Sequence, residues 1–231
     1  MNNRSFSPLR KQNGIALIFV LLLLLIAIGM VIMTARMTLS GSQASRNDRD
    51  RQIAFQAAEL ALNDAELDIM DINLTDKAVK PATSAVSTGR GCKLGNPKSE
   101  IHVAAGCGKA SAGDQHGICG LDESNSNRPL YTLIDWTVAE SSNDRQYVYF
   151  GEKTGRSSEL LTKSGISPYQ KPRYIIVKSP AQPDVPIANG SFKVAGAYKV
   201  YALGYGANKE TQVMLESEIY KPIIEKSCNA S

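Results

Sequence analysis

Nineteen consecutive residues, Ile15 to Met33, read IALIFVLLLLLIAIGMVIM and carry no charge. As a helix rising about 1.5 Å per residue they span roughly 28 Å, close to the hydrocarbon thickness of a bilayer, about 30 Å. A helix that is apolar on every side needs lipid or other helices around it. No Ala-x-Ala-like cleavage site follows the run, and the sequence continues into a helix-compatible amphipathic stretch. The run therefore reads as a segment that stays attached, unlike a signal peptide removed behind its apolar core.

The position of the charges points the same way. The chain has 231 residues and a formal charge of +4. Arg4, Arg10 and Lys11, with no acid among residues 1–14, supply +3 of it. A short basic flank before an apolar segment holds the N-terminus on the cytoplasmic side of the membrane and places the rest beyond it. The near-neutral remainder gives no reason to expect nucleic acid. Four cysteines, Cys92, Cys107, Cys119 and Cys228, all follow the apolar run. An even count in an exported domain reads as two disulfides, with three pairings open.

No proline occurs between Pro8 and Pro81, and residues 15–72 read as one long helix. Its apolar first half covers residues 15–35. In its second half, 36–72, Phe55, Ala58, Leu62, Ala65, Ile69 and Ile72 recur at spacings of three and four, which predicts one buried stripe. Arg46, Asp48, Arg49, Asp50 and Arg51 form a mixed-charge collar above it, either a solvated face or a contact between subunits. No linker separates the apolar half of the helix from the head, so shaft and domain are expected to be one rigid body. Residues 73–128 are Gly- and Ser-rich and read as loops held by cysteines. Strands are expected over 129–140, 145–151 and 172–178. The strongest pair is 195–205 with 211–220, joined by GANKE; Val213, Leu215, Ser217 and Ile219 alternate with Met214, Glu216 and Glu218 in the pattern of a half-buried antiparallel strand. The expected class is α+β: a long helix whose second half packs on an antiparallel sheet of four or five strands within a head of residues 73–231.

A basic segment ending in glycine, RKQNG, followed by IALIFVLLL, resembles the leader and first helix of a type IV pilin. The segment NDRDRQIAFQAAELALNDAE narrows the resemblance to PilX-type minor pilins, through Asp50, Arg51, Ala54, Phe55, Gln56, Ala57, Ala58, Glu59 and Leu62. The resemblance implies a pilin fold and a leader, residues 1–14, that a prepilin peptidase removes between Gly14 and Ile15. Ile15 would then be N-methylated. Repeating pilins carry a glutamate five residues after the cut, where it meets the terminal amine of a neighbour in the filament core and offsets the cost of a buried charge. Phe19 stands there in this chain, which suits a subunit at the tip, with nothing above it; drift to an apolar residue within the span is the alternative. The implied partners are other minor pilins, the major pilin and a PilY-type tip adhesin. The implied role is to prime assembly of a pilus used in adhesion and twitching motility. The protein would sit in the inner membrane before assembly and at the pilus tip after it. A K-type pseudopilin of type II secretion, which also lacks the glutamate, is the alternative, although residues 73–128 look too short and too glycine-rich for the calcium-binding insertion of that family. A permanently anchored periplasmic binding domain is the third reading.

Catalytic patterns do not emerge. The two histidines, His102 and His116, form no H-E-x-x-H, and neither G-x-S-x-G nor a phosphate-binding glycine loop is present. No enzyme activity and no cofactor are expected. A zinc site drawn from His116, Cys119, Cys107 and Cys92 lacks a C-x-x-C half and competes with disulfide formation. Asp122–Asn127 lacks the spaced carboxylates of a calcium loop and reads as a solvated turn. Trp136 reads as a core residue.

Overall fold

In a computed structural model of the chain, the residues described are 15–71, 90–94, 106–120, 129–157, 168–178, 184–187 and 190–222. The chain divides into two compact units, Met1–Asp48 and Arg49–Ser231. Helix α1 runs from Ile15 to Ile69. Within the first unit its large apolar side chains stand exposed, Phe19 at 68% and Leu25 at 70% among them. The hydroxyl of Thr34 is satisfied inside the helix, donating to Met30 O and Val31 O at 3.0 Å each.

In the second unit α1 buries one face. That face is made of Ala54, Ala57, Ala58, Ala61 and Ala65, closed by Ile69, with Asp64 and Asp68 among them. The predicted stripe is corrected at one residue: Phe55 is 43% exposed, while Leu62 packs half-buried against the core. The reason is how closely the sheet approaches. A Cβ added at Gly204 would collide with Ala54 O and lie 2.5 Å from Ala58 N. Backbone meets backbone here, so only methyl side chains fit between them, and the larger Phe55 turns outward. The helix also stops earlier than 72. Asp71 takes a left-handed conformation, φ 61°, and the Lys221 ammonium donates to Ile69 O at 2.8 Å, occupying a carbonyl the next turn would need. Ile72 lies outside the described residues.

Among the described residues, a short helix α2, Arg90–Lys93, precedes seven strands: β1 (Gly106–Cys107), β2 (Ile118–Gly120), β3 (Val148–Tyr149), β4 (Arg173–Lys178), β5 (Asp184–Ile187), β6 (Gly190–Tyr205) and β7 (Gln212–Pro222). They form a mixed sheet in the order β1-β2-β4-β6-β5, with β3 on β4 and β7 on β6. The α+β expectation holds, with two differences in the sheet. It has more strands than four or five, and β2 runs parallel to β4, pairing Ile118 with Ile176 and Cys119 with Val177. The cysteine-bearing segment therefore contributes strands as well as loops. The pairing of β6 with β7 is antiparallel from Tyr205–Gln212 to Val194–Pro222, with a bulge at Val194/Gly196.

The strand expected over 129–140 does not form. Leu130–Thr132 is a single 3-10 turn, and bends and turns follow. Pro129 O accepts from both the amide and the hydroxyl of Thr132, at 2.9 and 2.7 Å. The Asp135 carboxylate takes the amide and hydroxyl of Thr137 at 2.8 and 2.6 Å. These side-chain bonds hold the backbone in turns and take it out of reach of a ladder. Of 145–151 only Val148–Tyr149 pairs, against Arg173 and Tyr174.

Both faces are covered at the centre of the sheet. Ile118, Val148, Tyr174, Ile176, Tyr198, Val200 and Ala202 meet the alanine face of α1. Ile175, Val177, Cys119 and Tyr201 meet Leu130, Ile134, Tyr147 and Tyr149 on the other side. Gly204→Val is expected to destabilise the head by about 1–3 kcal/mol through overpacking. Phe55→Ala is expected to change stability by less than about 0.5 kcal/mol, as an exposed substitution does. Urea unfolding of the detergent-solubilised chain, followed by circular dichroism, distinguishes the two.

Candidate functional site

The residues singled out in the sequence fall into two groups on α1. Asp50, Ala54, Ala57 and Ala58 face the head, whereas Arg51, Phe55, Gln56 and Glu59 are exposed. Asp50 accepts from the Asn208 amide at 3.1 Å and thereby holds the β6–β7 turn. Desolvation pushes its carboxyl up, but hydrogen bonds from the Thr211 side chain and the Asn208 and Ala207 amides outweigh it, and the group titrates below its ordinary range. The other collar residues, Arg46, Asp48, Arg49 and Arg51, are exposed.

Two carboxylates one turn apart do more of the anchoring, and sequence reading passed over both. Asp64 accepts from Gly151 N at 2.8 Å and from the Thr154 hydroxyl. Burial raises its carboxyl above the ordinary value, against the pull of those bonds and of Arg156. Asp68 forms a buried two-point pair with Arg90, whose Nε donates to Oδ1 at 2.8 Å and whose Nη2 donates to Oδ2. Tyr174 O–H donates to the same Oδ2 at 2.8 Å. Arg90 also donates to the carbonyls of His116 and Asp114. Desolvation alone would lower the Arg90 guanidinium; Asp68 reverses this and leaves it above its ordinary value. Lys221 spans Ile69 O and Gly91 O, and burial lowers its ammonium to about 8. The sequence signal was present: Asp64 and Asp68 directly precede Ala65 and Ile69 of the stripe predicted to be buried.

Cys107 and Cys119 form a disulfide across the β1–β2 pair. Cys92 is disulfide-bonded as well, and Cys228 lies outside the described residues. The zinc alternative therefore has no thiolates to use. His116 serves packing instead: its buried Nε2 lies 2.9 Å from Tyr147 O, and Nδ1 is 3.5 Å from Glu152 Oε1. Among the described residues, no group of three or more His, Cys, Asp or Glu side chains is placed to hold a metal. The loop Asp122–Asn127 lies outside the described residues. Trp136 is half-buried, stacked on Tyr147 at 5.5 Å with its Nε1 donating to Tyr131 O at 2.9 Å. Phe19 belongs to the other unit; Ile15 is the first residue of α1, and Gly14 lies outside the described residues.

Asp64, Asp68, Arg90 and Lys221 are hydrogen-bonded to backbone or paired with one another, and they fix α1 to the rest of the head. Residues 13–63 match the family model described as PilX N-terminal. No curated protein and no solved structure matches the chain.

Asp68→Asn removes the only charge that Arg90 meets in its buried pair, and is expected to cost about 3–5 kcal/mol in a denaturant melt. His116 gives a pH dependence. Desolvation, with Arg145, Lys153 and Arg90 acting in the same direction and Glu152 opposing, lowers its imidazole from 6.5 to about 4. Between those values the unfolded chain binds the extra proton, so stability is full above pH 6.5 and falls as pH drops toward 4. Melting temperature measured across that window should show this fall, and His116→Gln should flatten it.

Proposed function

We propose that this chain, a PilX-family type IV pilin by its N-terminal segment, is the minor pilin that primes pilus assembly with other minor pilins and stays at the fibre tip. The observation that carries the reading is the fully apolar, exposed α1 shaft with Phe19 at its fifth residue. A repeating subunit places a carboxylate there to answer the terminal amine of its neighbour, and Phe19 has none to offer. The uppermost subunit has no neighbour above it to answer.

In this reading the prepilin peptidase cuts between Gly14 and Ile15 and the new amine is methylated. Before assembly residues 15–35 cross the inner membrane with the head in the periplasm. During assembly the shaft leaves lipid for contact with other shafts. Lipid tails are as apolar as leucine, so close packing supplies the association; Ala16, Ala27, Gly29 and Ala35 keep the backbone accessible. Residues 36–72 and the head 73–231 supply the docking surface for the major pilin, the other minor pilins and a PilY-type adhesin. The division into unpaired shaft and covered head supports this: one half of α1 exposes leucines, and the other buries alanines.

Two measurements test the reading. Mass spectrometry of the mature protein should give an N-methylated Ile15 as first residue; an intact leader sinks the pilin mechanism. Deleting the chain should reduce surface piliation at least about tenfold, with the major pilin still made. Normal piliation with a secretion defect would instead place the chain in a type II secretion pseudopilus. Non-reducing peptide mapping should give two linked peptides, Cys107–Cys119 and Cys92–Cys228.

A further inference from the structure

Among the described residues, three guanidinium groups are buried in the head together with ring or carboxylate partners, and two of them have a counter-charge. Arg90 is paired with Asp68. Arg145 holds Glu152 at two points, 2.6 and 2.9 Å. Arg173, 2% exposed, is different. Its hydrogen bonds go to neutral acceptors: Trp136 O, Gln170 Oε1 and, at 2.9 Å, the Tyr147 hydroxyl. Its Nε–H is buried without a partner. The rings of Tyr205, Tyr147 and Tyr149 surround its central carbon at 4.7, 4.8 and 5.2 Å. Among the described residues no carboxylate is paired with it. An arginine does not give up its charge at any physiological pH, and a buried charge without a counter-charge is costly. Ring faces offset part of that cost.

Arg173 also lines a cleft of about 300 Å³, together with Thr137, Glu140, Tyr149, Gln170 and Lys171. Lys171 adds a second cation at the mouth, paired with Glu140 at 2.8 Å. The volume is at the small end for ligand sites and has room for one sugar ring. We infer that this cleft binds the carboxylate of an acidic monosaccharide unit, with Arg173 and Lys171 on the carboxylate and Gln170 and Glu140 taking ring hydroxyls. Glu140 decides the ligand class. A simple anion meets it as a like charge, whereas a sugar acid can place its carboxylate on the cations and donate hydroxyls to Glu140. The site is independent of the filament reading, since every residue in it belongs to the head.

The chain's one tryptophan, Trp136, is the reporter, because its carbonyl binds Arg173 and its ring stacks on Tyr147. The full chain, in a polyoxyethylene detergent free of sugar, is titrated with glucuronate, glucose and acetate by fluorescence and calorimetry. Glucuronate is expected to saturate both signals, with glucose and acetate each at least about tenfold weaker. Lys171→Glu, an exposed change, should weaken glucuronate about tenfold with unaltered melting. Arg173→Gln should abolish binding; should that variant fail to fold, Lys171→Glu still decides. Equal binding of acetate shows a site for any anion, equal binding of glucose shows no use of the cations, and no saturable signal shows no site. Each of these overturns the inference, as does unchanged affinity in Lys171→Glu.

Discussion

The head depends on the buried pair between Asp68 and Arg90. It joins three segments far apart in the chain: the last turns of α1, the short α2 and, through the Tyr174 hydroxyl, the central strand β4. Taking two charges out of water is expensive, and only near-ideal geometry with further hydrogen bonds offsets it. Both conditions are met here, since the guanidinium reaches two carboxylate oxygens and two backbone carbonyls. Such a pair adds little net stability over a well-packed apolar substitute, but it tolerates only one arrangement of its neighbours. Asp64 does the same for residues 151–154, and Lys221 ties the end of α1 to Gly91 and β7. Alanines let the helix approach, and these polar groups determine where along the sheet it stops.

That close approach explains the layering on both sides of the sheet. Along β4 the residues alternate: Tyr174 and Ile176 point to α1, whereas Ile175 and Val177 point to the aromatic layer. In β6, Tyr198, Val200 and Ala202 face the helix and Tyr201 faces away. A sheet with only a thin alanine face against it needs its other surface covered too. The segment from Leu130 to Phe150 covers it without pairing as a strand over most of its length, using Leu130, Ile134, Tyr147 and Tyr149. Arg173 starts β4 on this far side, which is why it meets tyrosine rings and not the helix carboxylates.

The legible parts of the sequence were those governed by local periodicity. The long helix and the β6–β7 pair carry their own patterns over ten or more residues, and no distant segment is needed to read them. The illegible parts depended on partners. Leu130–Glu140 has the apolar content of a strand, but Asp135 and Thr137 commit the backbone to a turn. The two-residue contacts of β1 and β3 have no pattern to read. Phe55 misleads because a hydrophobic stripe is weighted by side-chain size, whereas this interface selects smallness; nothing local announces that Gly204 will sit against Ala54 and Ala58. Asp64 and Asp68 were legible in position only. Their spacing puts them on the buried face, but the identity of Arg90, Thr154 and Tyr174 as partners comes from the tertiary fold.

The segment from Asp50 to Leu62 therefore encodes two surfaces at once. One set of its residues, Asp50, Ala54, Ala57 and Ala58, is consumed by the head: Asp50 holds Asn208, Ala54 and Ala58 lie against Gly204, and Ala57 is fully buried. The other set, Arg51, Phe55, Gln56 and Glu59, is exposed, and stability of the isolated head gives no reason for a phenylalanine between an arginine four residues before it and a glutamate four residues after it. An apolar ring flanked by opposite charges on one helix face is therefore not explained by the packing of the head, whose interface with α1 selects methyl side chains.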